Sequence, residues 1–272
     1  MKTLFIGAGS MAHALMGGAL SAGVLTCEEV YVTNRANQER LDHIMHEFCV
    51  QKVNQDTSYD VIILAMKPKD FHEAAESIRT HLKENTLVIS VLAGITMDHL
   101  SDKLSFNGAM ARAMPNTSAA LGKSATAVSF NKYLSHSQKE WTTTLFRSVG
   151  TAVEVEEEKL DLITALSGSG PAYIYYVAEL LKGAAVKLGL EEDLAKGLVT
   201  QTIAGASAML TDSGLEAQEL RKNVTSAGGT TEAGISALED YHIRDAFFQC
   251  IASARDRSQI LGNELKRQSL KK

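Results

Sequence analysis

Thr3-Leu4-Phe5-Ile6-Gly7-Ala8-Gly9-Ser10-Met11-Ala12 decides the fold. Thr3 to Ile6 is a short apolar, β-branched run that reads as a buried strand. A G-x-G-x-x-A spacing follows, and Ala12 to Ala22 reads as a helix. Strand, glycine turn and helix in that order form the phosphate-binding corner of a doubly wound α/β sheet. Gly7 permits the tight turn, Gly9 lets the backbone approach a pyrophosphate, and Ala12 keeps the helix close to the sheet. The loop N–H groups and the helix N-terminus face the phosphate charge.

Outward from that corner the alternation repeats. Strands are expected at Glu29–Val32, Val61–Ala65, Leu87–Val91, Ala109–Ala113 and Ala125–Val128. Helices are expected at Gln38–Phe48, Asp70–Leu82 and Gln138–Val149. Alternating elements with β-branched strands predict a parallel sheet covered on both faces. The second strand runs into Thr33-Asn34-Arg35, with no Asp or Glu for a ribose 2′-hydroxyl. Asn34 can donate a hydrogen bond and Arg35 can pair with a 2′-phosphate, so NADPH is expected over NADH. Two of the three prolines follow apolar strands, in Ala65-Met66-Lys67-Pro68 and Met114-Pro115-Asn116. Open α/β sheets bind ligands beyond the carboxyl ends of their strands.

After about Leu160 the strands stop. Helices are expected at Pro171–Leu188, Glu191–Leu210, Glu216–Asn223, Thr231–Glu239 and Arg244–Glu264. Ile174, Val177, Leu180, Leu181 and Ala184 recur at helical spacing. Gly183, Ala184, Ala185, Gly205, Ala206 and Ala208 are small enough for close helix packing in a bundle or a dimer core. The expected division is therefore a dinucleotide-binding domain over 1–155 and a helical substrate and dimerisation domain over 156–272.

Within the helical half lies Val224-Thr225-Ser226-Ala227-Gly228-Gly229-Thr230-Thr231, just ahead of a helix. Glycines let backbone N–H groups converge, a helix start adds unpaired donors, and hydroxyls turn to suit a ligand. That pattern fits a small anion such as a carboxylate. It also fits an ordinary helix start in which Thr231 only caps its helix.

Composition excludes several classes. The 272 residues are 45% hydrophobic and 22% charged, an ordinary globular balance, and the net charge of −5 offers no basic face for nucleic acid. Apolar runs such as Val61–Ala65 are too short to span a bilayer, and no signal-peptide pattern is read at the start. Cys27, Cys49 and Cys250 are odd in number and widely spaced, as expected of reduced thiols in a cytoplasmic protein. The eight histidines are scattered. His43, His46 and Glu47 share a helix face without a further ligand, so no metal site is expected.

Together these segments resemble pyrroline-5-carboxylate reductases. The resemblance rests on Ile6-Gly7-Ala8-Gly9, Ala65-Met66-Lys67-Pro68, Val91-Leu92-Ala93-Gly94-Ile95, Met114-Pro115-Asn116, Ala165 to Tyr173, and Asn223 to Leu238. They span nearly the whole chain in the family's order. The resemblance implies reduction of L-1-pyrroline-5-carboxylate to L-proline with NAD(P)H, and a helical domain that interlocks with a partner subunit. It places Ala8, Ser10 and Met11 in the pyrophosphate loop and Asn34 and Arg35 at the adenosine ribose. Ala65 to Pro68, with Met66 and Lys67 in contact, and Ala93 lie at the nicotinamide end. Asn223 reaches the cofactor from the helical domain. Glu157 matches an acidic position near the substrate, while Ser226, Gly229, Thr230 and Thr231 match the loop that holds its carboxylate and ring nitrogen.

The chain departs from the family at Val53 to Asp60, which is shorter than usual, and at Ala227, where many relatives carry proline. A positioned Thr231 hydroxyl is expected to bond the imine nitrogen and relay a proton, since an iminium is already a good hydride acceptor. Two other readings remain open. A 3-hydroxyacid dehydrogenase-like reductase would need a catalytic lysine, but Lys182 and Lys187 lack the usual surround. A non-catalytic dinucleotide-binding regulator would have no use for the Ser226–Thr231 loop.

Overall fold

The computed structural model describes residues 1–35 and 37–269. Its sheet has eight strands: β1 Thr3–Ile6, β2 Val30–Thr33, β3 Gln51–Lys52, β4 Val61–Leu64, β5 Leu87–Ser90, β6 Met110–Met114, β7 Ser124–Phe130 and β8 Gly150–Glu154. Their spatial order is β3-β2-β1-β4-β5-β6-β7-β8. The pairs are parallel except β6 with β7, where Ala111 faces Phe130 and Met114 faces Ala127. Helices α1 Ser10–Ser21, α2 Gln38–Phe48, α3 Phe71–Arg79, α4 Met97–Leu104 and α5 His136–Arg147 connect or follow the strands.

Each central strand is buried on both faces. Phe5 and Ile63 join one core with Leu15, Met16 and Phe146, while Leu4, Ile62 and Leu64 join the other with Phe71, Leu100 and Tyr59. Successive side chains point to opposite faces, so two cores require continuous apolar runs. The runs at 3–6, 61–64 and 87–90 supply them.

The structure corrects the sequence reading in three places. The sheet is mixed, because the β6–β7 pair is antiparallel. Strands β3 and β8 were not expected: β3 is two exposed polar residues and β8 is a half-exposed edge, so neither carries an apolar signal. Helix α4 was also missed. It has only eight residues, capped where Thr96 Oγ1 accepts from the His99 N–H, and it buries Met97, Leu100 and Leu104.

The remaining helices are α6 Leu160–Ile163, a π-helical turn at Thr164–Gly168, then α7 Gly170–Lys187, α8 Glu192–Asp212, α9 Ala217–Asn223, α10 Thr230–Asp240 and α11 Ile243–Ser269. The chain forms two compact units. One is Met1–Pro171 together with the chain from Ala252 onward, and the other is Ala172–Ile251. The break in compactness thus falls later than residue 155, and the first unit regains the chain at Ala252. Two contacts within that unit show why. Arg112 on β6 binds Glu157, and the Ser258 hydroxyl donates to Asp161 at 2.8 Å.

The second unit has almost no interior of its own. Nothing in α7, α9 or α10 is buried, and α8 buries only Ala195. Tyr175, Tyr176, Leu180, Leu181, Leu198 and Phe248 are all at least half exposed.

Candidate active site

The residues singled out in the sequence fall into two groups, one in each compact unit. In the first unit β1 delivers the chain to Gly7, whose φ is +113° and whose N–H donates to the Thr33 carbonyl at 2.9 Å. A Cβ there would lie 2.6 Å from the Ala65 carbonyl oxygen, so only glycine fits, on conformation and on space. Gly9 is the N-cap of α1 and supplies no side-chain acceptor, and the first turn of α1 holds no acid. The loop therefore presents the Ser10 and Met11 N–H groups at a positive helix end. An anion is the partner such an end suits. The Ala8 carbonyl accepts from Arg40 Nε of α2 at 3.3 Å, a tether no local pattern announced.

Beyond β2 and β4 the chain surrounds a cavity of about 350 Å³ lined by Gly7, Asn34, Arg35, Val53, Gln55, Met66, Glu73 and His81. This brings Gly7, Asn34, Arg35 and Met66 together. Asn34 Nδ2 donates to the Asn37 carbonyl at 2.9 Å. Arg35, 74% exposed in its side chain, is ion-paired to Glu73 of α3, and that bond holds its guanidinium pKa above the ordinary arginine value. The short 53–60 stretch brings Val53 and Gln55 to the same cavity. It is pinned there by buried Tyr59, whose hydroxyl accepts the Asn54 N–H and donates to the Asn54 carbonyl, both at 2.8 Å. Glu73 and Arg40 were missed in the sequence because each lies more than 30 positions from the residue it bonds, Arg35 and Ala8. Gln55 was missed because only the fold brings its loop to this cavity.

Lys67 is exposed and Pro68 opens a short 3₁₀ turn to Asp70. Ala93 is half-buried between buried Leu92 and Gly94 in the loop after β5. Glu157 has a different environment from a free acid. Its Oε1 accepts from the Met97 N–H at 2.8 Å and from Arg112 Nη1 at 3.2 Å. Arg112 is 4% exposed and also faces Asp161 at 3.6 Å. One carboxylate thus caps α4 and neutralises a buried cation.

In the second unit α9 ends at Asn223 and a six-residue loop leads into α10. Thr225 Oγ1 donates to the Arg221 carbonyl at 2.6 Å, so that hydroxyl is committed. Gly229 donates its N–H to the Ser226 carbonyl at 3.0 Å, and Gly228 donates to Glu232 at 2.7 Å. A Cβ on Gly229 would sit 2.5 Å from Ser226 Oγ. Gly229 is therefore the N-cap that allows the loop to close against Ser226, and its own N–H is spent inside the loop. Among the described residues, the Ser226, Thr230 and Thr231 hydroxyls have no hydrogen-bond partner, nor do the Thr230 and Thr231 N–H groups. Thr231 does not cap its helix, because the cap position belongs to Gly229.

The family model for pyrroline-5-carboxylate reductase dimerisation matches residues 157–261. A second model, NADP oxidoreductase coenzyme F420-dependent, matches residues 2–94. Pyrroline-5-carboxylate reductase 2 of Bacillus subtilis is 43% identical over 98% of this chain and 99% of its own. The chain belongs to the pyrroline-5-carboxylate reductase family. The Staphylococcus epidermidis member is 37% identical over 97% of this chain and 99% of its own. The family's solved structure from Coxiella burnetii superposes with a TM-score of 0.87 at 34% identity, covering 96% of this chain and 98% of that one. The Plasmodium falciparum enzyme, solved with NADP bound, gives a TM-score of 0.82 at 28% identity, covering 96% and 98%. Membership extends across both groups of candidate residues, the glycine corner at Gly7 and the loop at Ser226 to Thr231. Among the described residues of this family member, no helix is long and apolar enough to cross a membrane.

Proposed function

We propose that this chain reduces L-1-pyrroline-5-carboxylate to L-proline, using NADPH in preference to NADH. The observation that carries the reading is the Ser226–Thr231 loop. It offers uncommitted hydroxyls and helix-start N–H groups in a member of a family named for this substrate.

The first unit's residues fit the cofactor. The Gly7 corner turns tightly against the Ala65 backbone. Gly9 has open space where a Cβ would stand, with nothing nearer than the Ala65 carbonyl oxygen at 4.0 Å, and the acid-free start of α1 suits a pyrophosphate. Ala8, Gly9, Ser10 and Met11 hold the pyrophosphate, and Asn34 and Arg35 meet the ribose and its 2′-phosphate. Ala65, Met66, Lys67, Pro68 and Ala93 border the nicotinamide, with Asn223 reaching the cofactor from the helical segment. When bound, NADPH supplies the hydride that goes to the imine carbon.

The substrate's carboxylate takes the Ser226 hydroxyl and the N–H groups of Thr230 and Thr231, against the positive end of α10. The Thr231 hydroxyl bonds the ring nitrogen, delivers a proton to it and regains one from water. The carbon–nitrogen double bond becomes a secondary amine. Glu157 acts at the substrate end through the α4 start and Arg112 that it holds.

We also propose that residues 156–272 carry substrate binding and self-association, and that the chain works as a homodimer or larger assembly in the cytoplasm. The exposed apolar faces of α7 and α8 support association, and three free thiols suit a reducing compartment. The test is loss of NADPH absorbance on adding pyrroline-5-carboxylate, with other cyclic imines and keto acids as controls. Turnover of keto acids but not the imine would overturn the reading.

A further inference from the structure

The sequence places His43 and Glu47 one helical turn apart on α2, and the structure adds a third group from another helix. His13 of α1 points its Nε2 at Glu47 Oε2, 2.9 Å away, and His43 Nε2 stands 3.2 Å from the same oxygen. The three ligating atoms all lie within 4.8 Å of one another. The His13 ring packs on Phe48 with centroids 4.8 Å apart, which fixes its direction and gives the cluster an apolar backing. Side-chain exposures of 31%, 59% and 38% for His13, His43 and Glu47 leave the group open to solvent.

We propose that His13, His43 and Glu47 form a binding site for a divalent transition metal ion of the zinc type. Two imidazoles and a carboxylate are a common zinc donor set, and three protein ligands leave a fourth position for water. Ligand bonds of about 2.0–2.2 Å in tetrahedral geometry imply ligand–ligand edges of about 3.3–3.5 Å. The 2.9 and 3.2 Å nitrogen–oxygen separations lie a few tenths of an ångström inside those edges. The two imidazole nitrogens, within 4.8 Å of each other, reach a shared edge by rotation of the exposed His43 ring. A hydrogen-bonded trio could use any outward-facing residues, but here two nitrogens from different helices converge on one oxygen. The ion would clamp α2 to α1, the helix that opens at Gly9 and whose His13 N–H bonds the Gly9 carbonyl at 3.0 Å.

The test is zinc titration of the full-length protein by calorimetry, with thermal unfolding as a second readout. One equivalent of Zn²⁺ per chain is expected, with a rise in Tm. His13→Ala and His43→Gln should each weaken binding by about tenfold or more, the scale on which even outer-shell changes act. His46→Ala, on the same helix but outside the trio, should leave it unchanged. His43 is exposed, so His43→Gln remains informative even where His13→Ala disturbs the Phe48 contact. No saturable binding, unchanged affinity in His43→Gln, or an equal loss in His46→Ala would overturn the site.

Discussion

Arg35, two residues beyond β2, is ion-paired to Glu73 of α3, and both line the cavity beside Gly7. The cation expected to meet a 2′-phosphate is therefore already partnered by an acid. Both side chains are more than half exposed, so the pair is solvent-screened and can reopen. A 2′-phosphate must displace Glu73 or share Arg35 with it. Glu73→Gln should tighten binding of 2′,5′-ADP by about two- to fivefold, the size of one exposed charge interaction, and leave 5′-AMP unchanged. Arg35→Asp should reverse the NADPH preference in kcat/KM. Equal gains for both nucleotides in Glu73→Gln would reject a charge effect.

Thr231 offers a hydroxyl with no partner inside the loop and does not serve as the helix cap. Thr231→Ala should lower kcat/KM for the imine by about a hundredfold, the scale of one positioned acid–base group. Thr231→Ser should recover most of it. Cofactor binding, measured by NADPH fluorescence without substrate, should not change in either variant. Full activity in Thr231→Ala would remove the residue from the mechanism.

Arg112 is buried against Glu157 and Asp161. Arg112→Leu leaves the Glu157 and Asp161 carboxylates without their shared cation, and the acceptor that Glu157 offers the α4 start loses its anchor. Unfolding by urea should show a loss of about 3 kcal/mol, the usual result of removing one member of a buried ion pair. A loss near zero would mean that the carboxylates turn freely to water.

His81 and His99 are 7% and 5% exposed, and burial pushes both imidazole pKa values below the ordinary 6.5. The unfolded chain therefore takes up protons more readily than the folded one below pH 6.5. Folding stability is full above that pH and falls as pH drops toward the folded values, by at most about 1.4 kcal/mol per pH unit for each group. Urea midpoints measured from pH 7.5 to 5.5 should decline. The double variant His81→Gln, His99→Gln should decline less steeply, and an unchanged slope would assign the effect elsewhere.

Local chemistry made much of this protein legible in advance. The strand at 3–6, the Gly7–Ala12 corner and the helix at 38–48 follow from burial periodicity and backbone sterics, which act between residues a few positions apart. The same is true of the 230–240 helix start with its glycines and hydroxyls. Strands β3 and β8 were illegible because their pairing partners, and not their own side chains, make them strands. The reversed β6–β7 pair was equally silent, since alternation looks the same in either direction.

By itself, then, the sequence determined a dinucleotide corner, a helical second half and a hydroxyl-rich loop able to receive an anion. Tertiary structure alone decided which groups are already engaged: Arg35 with Glu73, Glu157 with Arg112 and Met97, Gly229 with Ser226, and His13 with Glu47. Three of those four join residues more than 30 positions apart. Hydrogen bonds and ion pairs depend on separations of a few ångströms, and for residues that far apart only the packed chain sets them.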